Sequence, residues 1–209
     1  MRRLLITSLT LAALVTAWIT GASPALAYPP TPPSASTAQT QLNSLTVKTE
    51  GSTTGYSRDL FPHWITQSGT CDTRDQVLKR DGTNVTVDSQ CEPTGGRWYS
   101  VYDSVWVTDD SSIDIDHIVP LAEAWKSGAN SWTTSRRQQF ANDLTIAQLI
   151  AVTASSNRSK GDRDPSVWKP PNTSVHCIYA REWIWVKYTY GLSLQSAEKT
   201  ALQQMLGTC

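Results

Sequence analysis

Apolar and polar positions follow one another with changing period along the 209 residues. A largely apolar run from Leu4 to Ile19 follows Arg2-Arg3 and leads to Ala25-Leu26-Ala27, the order of a secretory signal cleaved after Ala27. It is shorter than the ~20 residues of a spanning helix, and Thr7, Ser8, Thr10 and Thr16 interrupt it. Tyr28 to Thr40 holds Pro, Ser, Thr, Ala and Gln without a charge, which predicts a flexible leader over 28–40 and a single domain over 41–209.

A period of two appears next. Val77 to Gly82 ends on Asp81-Gly82, Val85 and Val87 alternate with polar residues, and Gly95-Gly96 is read as a turn into Trp98–Val101, predicting a hairpin-rich region. Ser104–Thr108 is a further strand. After a turn at Asp109–Ser112, Ile113, Ile115 and His117 alternate with Asp114 and Asp116 in a strand that Pro120 closes. Leu121–Ser127 then predicts a short helix closed by Gly128, and Thr134 or Ser135 caps another that runs to Ala141. Leu144–Thr153 mixes β-branched and helix-forming residues, and its second half reads as strand. Ser155 or Ser156 caps a brief helix carrying Asn157 and Lys160 and ending near Gly161. Val175–Tyr190 and Leu194–Leu206 read as helices stopped by Gly191 and Gly207, with Trp183, Val186 and Tyr190 on one apolar face. The fold class expected is α+β, with C-terminal helices.

Charge changes this picture only slightly. Loss of Arg2 and Arg3 with the first 27 residues leaves 16 basic against 18 acidic residues, a net charge of −2, so any polyanion must be met by a local patch. Cys71, Cys91, Cys177 and Cys209 all follow the cleavage site, and an even count in an exported chain predicts two disulfides. Three pairings are open; Cys71 with Cys91 and Cys177 with Cys209 are preferred as the short-range closures. Gaps of 20, 86 and 32 residues do not suit a four-cysteine zinc site.

The candidate chemistry sits between Asp114 and Lys160. Hydrolysis of a phosphodiester needs a group to take a proton from water and a charge to offset the one that builds on the phosphate. Asp116-His117 joins an oxygen ligand to a base; Asn142-Asp143 and Asn157-Arg158-Ser159-Lys160-Gly161 follow. His63 and His176 are read as structural, and Glu123 as either an extra ligand or a helix-surface acid. Arg74 suits either a phosphate or an ion pair with Asp72 or Asp75. The aromatic residues of the last third, Trp183 and Tyr190 among them, are read as core, although nine tryptophans in an exported chain keep a secreted cell-wall glycan-binding protein as the alternative.

The ordered set resembles the HNH endonucleases of the ββα-metal type, and more narrowly the secreted actinobacterial branch of the DUF1524 (GmrSD C-terminal-like) family. The narrower likeness rests on Cys71-Asp72-Thr73-Arg74, Asp116-His117 with Leu121-Ala122-Glu123-Ala124-Trp125, Phe140-Ala141-Asn142-Asp143, and Ser156 to Asp162, within a span from about Tyr56 to Leu206. It implies an HNH ββα-metal core and a secreted, extracellular endonuclease of low sequence specificity acting on DNA, with RNA left open. His117 would be the general base. Asp116 and Asn157 would hold one divalent metal, Mg²⁺ before others because the donors are oxygens. Asn142 would hold the histidine loop, with Asp143 able to share that task, and Lys160, Arg158 and Arg74 would meet phosphate. Arg158, Lys160, Arg163 and Lys169, diluted by Asp162 and Asp164, are expected to form the local basic strip. Asp116 and His117 point to opposite faces of a regular strand, so the strand is expected to bend or end there.

Overall fold

A computed structural model describes residues 29–209, so the segment expected to be a cleaved signal, residues 1–27, lies outside the described residues. The chain is α+β, as expected. Its helices are α1 (Ala35–Ser44), α2 (Thr73–Asp81), α3 (Leu121–Lys126), α4 (Thr134–Ala141), α5 (Ala154–Lys160), α6 (His176–Tyr190) and α7 (Ser196–Leu206). Its strands are β1 (Thr66–Ser68), β2 (Cys71–Asp72), β3 (Gly82–Val87), β4 (Pro93–Ser100), β5 (Val105–Val107), β6 (Ile113–His117) and β7 (Leu149–Thr153). They form three antiparallel sheets, β1-β2, β3-β4-β5 and β6-β7.

The β6-β7 ribbon organises the rest because both of its faces are covered. Ile150 and Val152 join the main core with α1, α3, α4, α6 and α7, whereas Ile113, Ile115, Leu149 and Ala151 pack with Val77, Leu78 and Trp98 from α2 and β4. Burial on two faces explains why Leu149–Val152 reads as a continuous apolar run without alternation. The outer edge of β7 is covered by side chains: Arg80 donates to the Leu149 carbonyl at 2.5 Å, and the Ala151 N–H donates to Asp81 at 2.9 Å. Backbone groups that a third strand would satisfy are thereby paired.

Three local expectations are corrected. The segment read as a flexible leader is packed: it forms the first half of α1, which lies on α6 with Ala38 fully buried, and Arg181 binds the carbonyls of Pro32 and Pro33. Val77 to Gly82 belongs to α2 up to Asp81, because Asp72 and Asp75 form a reciprocal capping box. Gly95-Gly96 lies inside β4; at Gly96 (φ 125°) an added Cβ would meet the Val85 backbone at 2.9 Å, so the glycine permits close strand approach. Caps differ from expectation by one to three residues, with Thr133 ahead of α4 and Thr153 ahead of α5. Gly191 ends α6 in the left-handed conformation, and Trp183, Val186 and Tyr190 are buried as predicted.

The preferred disulfides are both present, Cys71–Cys91 and Cys177–Cys209. Among the described residues, no helix is long and apolar enough to cross a membrane. Of the tryptophans, Trp98, Trp125, Trp168 and Trp183 are core, while Trp106 is exposed beneath Arg97.

Glu182 of α6 is buried, and among the described residues its Oε1 has no hydrogen-bond partner. Burial, helped by the charge of Asp81, raises its carboxyl from 4.5 to about 8. The folded state therefore holds this proton more tightly than the unfolded chain does. Its contribution to stability is fully present below pH 4.5 and is lost as the pH rises to about 8, with a slope of up to about 1.4 kcal/mol per pH unit. Thermal melts across this range should show Tm falling with pH and a flatter dependence in Glu182→Gln. Parallel curves for the two proteins would mean that Glu182 is ionised in the fold.

Candidate active site

β6, β7 and α5 follow one another in space as two antiparallel strands and a helix. Their register runs unbroken from Ile113↔Thr153 to His117↔Leu149 and stops there, two residues before the Val119-Pro120 corner. The strand thus reaches His117 without a bulge, and one further backbone bond, from the Ile118 N–H to the Gln148 carbonyl at 2.8 Å, follows before the corner. Asp116 and His117 stand at this end and line one cleft of about 190 Å³ together with Arg58, Asn157, Arg158 and Asp162.

His117 is buried, and its Nε2 lies 2.9 Å from the Ala141 carbonyl. A carbonyl only accepts, so Nε2 carries the proton and Nδ1 keeps its lone pair. Burial pushes the imidazole down to about 3, and the positive charges of Arg58 and Lys160 act in the same direction. The ring is neutral at ordinary pH. Trp64 stacks on it with centroids 5.6 Å apart and planes at 25°. Trp64 itself has φ +56°, a conformation that costs a non-glycine residue energy and persists only where its surroundings enforce it.

Asn142 supplies that enforcement. Its Nδ2 donates to the Pro62 carbonyl at 2.8 Å and its Oδ1 accepts from the Ile65 N–H at 3.2 Å, gripping the chain on both sides of Trp64. Oδ1 also takes the Thr73 hydroxyl at 2.8 Å, and Nδ2 reaches the Gln138 carbonyl at 2.7 Å. Asp143 instead accepts from Tyr190 and Thr145.

α5 is anchored at its start. Asp103 accepts from the hydroxyls of Thr153 at 2.5 Å and Ser156 at 2.8 Å, fixing the turn from which Asn157 and Lys160 project. Asn157 donates to Asp114 at 3.1 Å, and the 73% exposed Arg158 lies 3.4 Å from the same carboxylate. Arg74 donates to the carbonyls of Asp110 and Ile113 and lines an adjoining cleft with Arg58, Trp64, Asp114 and Asn157.

Lys160 corrects an expectation. It was expected to meet phosphate, yet its ammonium is fully buried, donating to Asp116 Oδ1 and Oδ2 at 2.8 Å each and to the His117 carbonyl at 2.7 Å. All three donors are committed. Burial raises the Asp116 carboxyl and lowers the Lys160 amine; the charge of each is the other's main counterweight. Tyr102 adds a 2.6 Å hydrogen bond to Asp116 Oδ2. The basic strip is reduced accordingly, with Arg158 and Arg163 exposed and Lys169 partly so.

Residues 72–205 match the family described as GmrSD restriction endonucleases, C-terminal domain. The chain belongs to this family. The matched span contains the whole β6, β7 and α5 unit of this GmrSD C-terminal domain. A protein of Arthroderma benhamiae described as an uncharacterized secreted protein is 61% identical over 181 residues, covering 87% of this chain and 89% of its own. That relative is fungal, so the likeness is not confined to an actinobacterial branch. No solved structure matches.

Sequence reading missed Arg58, Trp64, Tyr102 and Asp114 as parts of the site. Asp114 carried a signal, its two-residue spacing from Asp116. Arg58 and Trp64 precede the matched span, and nothing in their neighbours announces a cleft.

Proposed function

We propose that this GmrSD C-terminal domain is a secreted, metal-dependent endonuclease of the HNH type. It hydrolyses phosphodiester bonds in DNA, with RNA as the second substrate to test, at low sequence specificity. The observation that carries this reading is the fixed tautomer of His117, which leaves an unprotonated nitrogen on a ring lining a cleft with arginines and oxygen donors. In this reading His117 takes the proton from the attacking water. Asn142 and Trp64 keep the ring in its plane, and Arg158 at the rim meets the backbone.

Among the described residues, no three His, Cys, Asp or Glu side chains gather as a metal-binding group. A sparser, all-oxygen set does fit a divalent ion. Asp116 Oδ2 is filled by Lys160 and Tyr102, but among the described residues Oδ1 takes only Lys160 and keeps a lone pair. Asn157 lines the same cleft. Two protein oxygens leave room for water and phosphate, which suits Mg²⁺. When bound, such an ion would offset the charge on the phosphate and on the departing 3′ oxygen.

Incubation of oxidised protein lacking residues 1–27 with plasmid DNA and with RNA, in Mg²⁺ or in chelator, tests the proposal. Nicking in Mg²⁺ alone is expected, with Asn157→Ala needing more Mg²⁺ to reach half its maximal rate. Cleavage undiminished by chelator would remove the metal, and no cleavage of either polymer would remove the nuclease.

A further inference from the structure

We propose that Arg58, oriented by His63, is a substrate-phosphate contact that the segment Ser57–Trp64 adds to the His117 cleft from outside the matched span. The proposal rests on the nuclease reading above. Arg58 is exposed and lines two adjoining clefts, one with Asp116, His117 and Asn157, the other with Arg74 and Asp114. It bridges them.

The other arginines here are partly committed, Arg158 to Asp114 and Arg74 to two carbonyls. Arg58 has no carboxylate within 4 Å among the described residues; its Nε donates to His63 Nε2 at 3.2 Å. His63 is fixed for that role, since its Nδ1 lies 2.8 Å from the Phe61 carbonyl and must carry the proton, leaving Nε2 to accept. With Nε held from the side, the two terminal amino groups remain for a forked contact with phosphate oxygens. The base of the segment is rigid: Phe61 is fully buried against Trp125 and Phe140, and Arg137 holds the Leu60 carbonyl at 2.9 Å. A fixed fork beside the base positions the strand without reading its sequence.

The test combines steady-state cleavage with duplex-oligonucleotide binding in chelator across a salt series. Arg58→Ala should raise KM about tenfold with a smaller change in kcat, and should flatten the salt dependence of binding by about one phosphate contact. Arg58→Lys should recover part of the loss, since it keeps the charge without the fork. His63→Ala should raise KM less, and should add nothing in the Arg58→Ala background. Unchanged KM and salt slope in Arg58→Ala would overturn the contact. A His63→Ala effect of equal size with and without Arg58 would overturn the positioning. Wild-type protein that binds duplex with an Arg58-dependent slope but never cleaves would count against the nuclease alone.

Discussion

Replacing His117 by alanine is expected to lower the cleavage rate about 10³-fold, with the loss in kcat and little change in KM. A positioned base contributes to the transition state and not to ground-state binding. The substitution is not silent in the fold, because the ring is buried, bonded to the Ala141 carbonyl and stacked on Trp64. About 1–3 kcal/mol of stability should go with it. The two effects separate by measurement: kcat is compared at a temperature where near-ultraviolet circular dichroism shows the variant folded. Added imidazole, which fits the space left by the ring, should restore part of the rate. A folded variant that cleaves normally would dismiss His117 as the base.

Lys160→Met should destabilise the protein by about 3–5 kcal/mol, because it leaves the Asp116 carboxylate buried without its counter-charge. Asp116→Asn combined with Lys160→Met removes both charges and should recover much of that loss. Chemical denaturation of the three proteins reads both numbers. A lysine reaching phosphate from the surface would behave in the opposite way, losing binding with its melting curve unchanged. That result in Lys160→Met would return Lys160 to the substrate.

The unit proposed to carry the chemistry was legible because it is local. Asp114 to His117 and Asn157 to Lys160 sit on one strand and one short helix, each with its own turn or cap signal, and the structure brings Asp116, His117 and Asn157 to one cleft. What was illegible depends on partners far along the chain. Asn142 acts through Pro62 and Ile65, about eighty residues away, so its effect on Trp64 has no sequence period. Lys160 read as a surface cation because a lysine is seldom buried; only the fold reveals the carboxylate, phenol and carbonyl around it. The first half of α1 read as leader from its uncharged composition, although Ala38 lies one helical turn before Leu42 on the face that packs on α6. α2 went unread because its capping box is built from two aspartates in place of the commoner Ser/Thr and Glu.

The two disulfides close separations of 20 and 32 residues. Each is worth about 3–4 kcal/mol by loop entropy, which together rivals the about 5–15 kcal/mol that holds an ordinary domain folded. Stability of this kind is granted by the surroundings: a reducing cytoplasm withholds it and an oxidising exterior supplies it. On the reading proposed above, the chain would be least stable in its producer before export and would reach its full stability only once oxidised outside the cell.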